Sequence, residues 1–90
     1  GRVAEARAAL LEALALAQSI GARMPEWELR YALGRWELDH GDPAAAQPHW
    51  AAARALVTEI AARLPTADLR QSFLARPDVR ALLGAEAQAR

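Results

Sequence analysis

A six-residue segment of this chain returns forty positions later with two replacements: Ile20-Gly21-Ala22-Arg23-Met24-Pro25 comes back as Ile60-Ala61-Ala62-Arg63-Leu64-Pro65. Leu29-Arg30 return as Leu69-Arg70, and Gly1, Ala6, Ala13 and Leu16 as Gly41, Ala46, Ala53 and Leu56. A period of this length describes a unit too small to bury its own apolar face, so neighbouring units must stack on one another. With 90 residues there is room for about two copies.

The apolar spacing says what the unit is made of. Ala6, Leu10, Ala13, Ala17, Ile20 and Met24 step alternately by four and three, as do Ala46, Trp50, Ala53, Val57, Ile60 and Leu64. Each set is one stripe along a helix. Between them, Trp27, Tyr31, Gly34 and Leu38 form one stripe and Leu29, Leu33 and Trp36 another. A helix apolar on two faces is expected to be packed on both sides.

Local chemistry marks the ends. Pro25 is suited to open the middle helix, with Glu26 and Glu28 near the positive end of its macrodipole. His40-Gly41 closes it, Gly41 being placed for a left-handed terminal position. Asp42-Pro43 then reads as N-cap and first residue of the next helix. Pro48 predicts a kink or a late start near residues 44–48, because a proline past the first turn removes a backbone bond and crowds the preceding turn. Beyond Pro65, Asp68 to Leu74 predicts about two helical turns, Arg76-Pro77 a break, and Asp78 to about Ala87 a final capping helix. The fold class is therefore all-α, with about five helices.

Composition closes off several functions. Eleven basic and eleven acidic side chains cancel and are interspersed, so no broad cationic field marks a nucleic-acid partner. No apolar run approaches the ~20 residues that span a bilayer, and the first residues lack a signal-peptide core. Without cysteine there is neither a disulfide framework nor a thiolate metal site, and His40 and His49 are too few to hold zinc unaided. The expectation is a soluble, cytoplasmic chain with no cofactor and no metal.

Leu33-Gly34, then Gly41-Asp42, then Ala46, Trp50 and Ala53 fall at the spacing of a known signature, and the chain resembles the tetratricopeptide repeat. Arg30, Glu37 and Thr58 depart from it: they stand where the common pattern has tryptophan, tyrosine and a closing proline. The 40-residue unit is similar to the long variant found in large bacterial regulators. Leu64-Pro65, Leu69-Arg70, Ser72-Phe73-Leu74, Arg76-Pro77, Val79-Arg80 and Leu82 resemble the chain end of repeats attached to signalling ATPases, LuxR-type transcription regulators, nucleotide cyclases and serine/threonine kinases.

The resemblance implies a right-handed solenoid of helical hairpins. Residues 1–24 would be the second helix of a truncated repeat, 25–64 a full hairpin, and 65–90 a divergent short helix with a C-terminal cap. Gly1-Arg2-Val3 stands where Gly41-Asp42-Pro43 stands in the next copy, so the first helix lacks its usual mate and keeps exposed alanine and leucine. Self-association through that open helix, or missing upstream repeats, is the expectation.

By position, the resemblance places a partner-binding groove on Glu28, Tyr31, Arg35, Leu38 and Asp39. A mixed-charge face with one aromatic suits an extended peptide or a helix, and a protein or peptide partner of unknown identity is implied. The plainer alternative makes Tyr31 and Leu38 core and the charges solvated. Arg30 and Arg70, in register with each other, are expected to pair with Glu26, Glu59 or Asp68 and tie hairpins together. His40 is expected at a helix end as a dipole partner, His49 half-buried, and the three tryptophans in packing. Ser19 and Ser72 have no histidine at readable spacing, and Glu26 and Glu28 point apart, so no catalytic group is assigned. Besides an interaction scaffold, the sequence admits a module that senses a small molecule between repeats, and a purely structural cap.

Overall fold

The computed structural model describes the backbone of residues 1–89 and the side chains of residues 1–84. It is all-helical, with five helices: α1 (Arg2–Ile20), α2 (Arg23–His40), α3 (Pro43–Arg63), α4 (Ala67–Leu74) and α5 (Pro77–Ala89). Helix α2 packs most extensively on α3 and also on α1, while α3 carries α4 and α5 along its other flank. The chain is a slab of 44 × 33 × 18 Å, its thinnest dimension about two helix diameters. No described helix is long and apolar enough to cross a membrane.

The repeated hexapeptide does not fold identically in its two copies. Gly21 adopts φ 68°, ψ 27° and ends α1 at Ile20, with Ala22 N–H donating to Ala17 O at 2.9 Å and Gly21 N–H to Gln18 O at 3.2 Å. These two bonds define a Schellman cap, which needs a residue free to enter the left-handed region. The second copy has Ala61 there, and α3 runs on to Arg63. Met24 consequently belongs to α2, which begins at Arg23, two residues before Pro25.

The left-handed position expected of Gly41 is therefore found at Gly21; Gly41 has φ −119°. Space decides residue 41. A Cβ there would lie 2.8 Å from Cζ3 of Trp36 and strike the Glu37 carboxylate. The start of α3 follows the expected chemistry, with Asp42 Oδ1 accepting from Ala44 N–H at 3.0 Å. Pro48 does not delay it: α3 is helical from Pro43 with Pro48 inside. The proline is exposed, so its lost bond falls on the wet side, while the Asp42 cap and buried Ala46 and Trp50 hold the segment on either side of it.

The core gathers around α3. Trp27, Ala46, Trp50, Ala53, Val57, Ala61, Phe73, Val79 and Leu82 form one buried cluster, with Met24, Tyr31, Leu56, Ile60 and Leu64 packed against it. The stripe expected on the third helix is thus its core face. On α1 the outcome is split: Ala17 is buried and Leu10 half-buried, beside Leu14, whereas Ala6, Ala13 and Ile20 of the same expected stripe are exposed. Helix α1 is apolar around most of its circumference, and the side applied to α2 overlaps one edge of the stripe that the periodicity marks, through Leu10 and Ala17.

Candidate functional site

The residues proposed to line a groove share one side of α2. Glu28, Arg35, Leu38 and Asp39 are exposed, and Tyr31 is half-buried against the core cluster. At 100° per residue they lie opposite the buried Leu33, with Tyr31 and Leu38 bordering the buried Trp27 and Gly34. Arg35 Nη2 and Asp39 Oδ2 approach to 3.7 Å one turn apart, each about half exposed. Such a pair is worth a few tenths of a kcal/mol and leaves both groups available to a partner. Near the start of the same face Glu28 helps hold Arg76 charged, though the hydrogen-bonded Asp78 raises the Arg76 pKa more.

Arg76 ties the turn between α4 and α5 to this face. Its Nε and Nη2 donate to the two oxygens of Asp78 at 3.1 and 2.7 Å. Its guanidinium lies over the Trp27 ring at 5.9 Å and the Phe73 ring at 5.8 Å. The hydrogen bonds from Arg76 are the main reason that Asp78 is held below the usual carboxylate range. The break expected at Arg76-Pro77 is fixed by a bidentate pair standing on two aromatic rings.

A polar seam that the sequence did not disclose runs on the other side of α2. Glu37 is buried, and its carboxylate accepts from Arg7 Nε at 3.2 Å and from Asp42 N–H at 3.1 Å. One side chain of α2 thereby joins α1 to the start of α3. The Asp42 N–H lowers the Glu37 pKa most, burial opposes it, and Arg7 lowers it further. The carboxylate is covered yet shallow in so thin a molecule, so its donors outweigh its desolvation. Arg7 also lies over Trp36 at 5.4 Å, and Trp36 Nε1 donates to Val3 O at 2.9 Å.

Arg30 and Arg70 do not make the expected carboxylate pairs. Arg30 Nη1 lies 3.5 Å from His49 Nδ1, and Arg70 Nη1 donates to Leu64 O at 3.0 Å, capping the end of α3. Glu59 is taken instead by Arg23 at 2.9 Å and Arg63 at 3.2 Å. His49 is half-buried as expected, and burial first, then Arg30, depresses its pKa. His40 ends α2 and packs against Trp36 with ring centroids 5.9 Å apart. The two histidines thus serve different neighbours. Ser19 spends its hydroxyl on Leu16 O at 2.8 Å.

These shifts set a pH dependence. His49 and Glu37 both bind protons less readily in the folded chain than in the unfolded one. Their stabilisation is complete above the unfolded histidine pKa of about 6.5 and is lost as pH falls, His49 first and the carboxylates Glu37 and Asp78 below about 4.5. Urea midpoints at pH 7.5, 5.5 and 3.5 are expected to decline in two stages. His49→Gln should abolish the first stage. A midpoint unchanged between pH 7.5 and 5.5 would contradict a desolvated His49.

Comparison with models of known families, with curated proteins and with solved structures returns no match.

Proposed function

We propose that the chain is a tetratricopeptide-like helical repeat serving as a non-catalytic protein–protein interaction scaffold, of the kind carried at the C-terminal end of large bacterial signalling or transcription regulators. The observation that carries the reading is the contact between Gly34 and Trp50. A Cβ at residue 34 would clash with the edge of the Trp50 indole, 2.8 Å from Cε2 and closer still to Nε1, while Ala46 and Ala53, one turn either side of Trp50, are fully buried. Small residues let two helices approach and one large ring fills the gap at their crossing, which is the physical content of the signature quoted above. In this reading the exposed face of α2, with Glu28, Arg35, Leu38 and Asp39 around the edge of Tyr31, receives a peptide or helix by rim charges about an apolar anchor.

The surface reading is favoured over a small-molecule sensor by the directions of two arginines. A sensor needs Arg30, Tyr31 and Arg35 to converge. Arg30 turns to His49, and Arg35 pairs outward with Asp39.

The test is capture of peptides selected from a displayed random library against the wild-type chain. Arg35→Glu is expected to weaken them about tenfold, some 1.4 kcal/mol, while the melting temperature falls by only a few degrees, because Arg35 is exposed and loses one i,i+4 pair. Selected peptides indifferent to Arg35→Glu would remove α2 as the binding face. A purely structural cap would yield no selectable peptides at all.

A further inference from the structure

Helix α1 is apolar on two sides and uses one of them. Leu14 and Ala17 are buried and Leu10 is half-buried on the side that meets α2. Roughly 100° round the helix, Ala6, Ala9, Ala13, Leu16 and Ile20 recur at alternating steps of three and four, all exposed, Leu16 at 62% and Ile20 at 69%. This is the spacing of a two-helix seam. Arg2 extends the same line by one more step toward the N-terminus.

The stripe is graded in size, alanines first and Leu16 and Ile20 last. Two copies laid parallel would set the large residues against each other and leave Ala6 and Ala9 facing across a gap. Two copies laid antiparallel set Leu16 and Ile20 of each over the alanines of the other, so the face is self-complementary under a two-fold axis. Charge follows the same geometry. Helix α1 has no basic residue in its last turn, and antiparallel pairing brings Arg2 of the second copy to that end, where the helix dipole favours a cation.

We propose that this stripe of α1 is a homodimer interface, two copies pairing antiparallel through Ala6, Ala9, Ala13, Leu16 and Ile20. Its size makes the association weak. The helix is about 28 Å long and the stripe about 10 Å wide, roughly 300 Å² of face per copy, against about 800 Å² per partner in a stable complex. The dimer is therefore weak and dissociates on dilution.

Sedimentation equilibrium of the 90-residue chain, from about 10 µM to about 1 mM, a range that covers association free energies of about −7 to −4 kcal/mol, should show a monomer–dimer equilibrium. Leu16→Glu/Ile20→Glu should abolish it with the circular dichroism spectrum unchanged, since both side chains are exposed in the monomer. The absence of native cysteine gives an orientation test. Ala6→Cys mixed with Ile20→Cys should cross-link under mild oxidation, and Ala6→Cys alone should not. A strict monomer throughout that range overturns the proposal and assigns the stripe to another segment or another protein. A dimer that survives Leu16→Glu/Ile20→Glu overturns it equally, and self-cross-linking of Ala6→Cys overturns the antiparallel arrangement. The stripe and the outer face of α2 are separate surfaces, so Arg35→Glu should leave dimerisation intact, and failure of either reading is seen independently.

Discussion

Trp50→Ala is expected to lower the unfolding free energy by about 3 to 5 kcal/mol, the range for removing a fully buried large aromatic. The indole is 2% exposed and sits in the one cluster that joins α2, α3, α4 and α5. Gly34 across from the ring, and Ala46 and Ala53 one turn either side of it on α3, have no side chain to swing into the void, which limits how far the cavity can collapse. A chain of this size has only modest stability to lose, since small domains bury a smaller share of their surface. The variant should therefore be substantially unfolded near 37 °C, read by urea titration and thermal circular dichroism. Trp50→Phe should cost distinctly less. It keeps a ring in place and removes an indole N–H that is buried without a hydrogen-bond partner among the described residues, a group that itself costs about 1 to 3 kcal/mol to bury unpaired. An unchanged midpoint for Trp50→Ala would contradict the packing.

What the sequence disclosed, and what it withheld, follows from how each feature is encoded. Helix α3 was legible because its apolar residues are sorted: Ala46, Trp50, Ala53 and Val57 lie on one side, with Gln47, Arg54, Thr58 and Glu59 on others. Helix α1 was legible as a helix but not as to its face. With alanine and leucine nearly all round, periodicity finds two equivalent stripes, and the choice of Leu14 and Ala17 is made by α2. Gly21 and Gly41 show a second limit. Both end helices, yet one supplies a left-handed turn and the other supplies room for Trp36 and the Glu37 carboxylate. Composition alone does not separate those uses.

The polar seam was the least legible part of the chain. Arg7 and Glu37 stand thirty residues apart, in helices whose contact no local pattern announces. The one clue was that Glu37 occupies a position where an aromatic is expected, between Leu33-Gly34 and Gly41. The five candidate groove residues share one side of one helix, as their spacing along the sequence already implies.

Gly34→Leu is expected to cost about 3 kcal/mol or more, beyond the usual range for overpacking. At an exposed helix site the same change would be favourable, because glycine is about 1 kcal/mol worse than a good helix former. Here the new side chain would start in steric clash with the edge of the Trp50 ring. That ring is held by Ala46 and Ala53 on its own helix and buried from solvent, so it cannot turn away without opening the core. Both helices would have to separate by more than a methyl group, and α2 and α3 share the most extensive contact in the molecule. The diagnostic measurement is a double-mutant cycle. If the cost arises at this one contact, Gly34→Leu in the Trp50→Ala background should cost far less than alone, with a coupling of about 1 to 3 kcal/mol, since the leucine then fills part of the cavity that the indole left. Strict additivity would place the strain elsewhere, and with it would go the pairing of a small residue on α2 with a large one on α3 on which the scaffold reading stands.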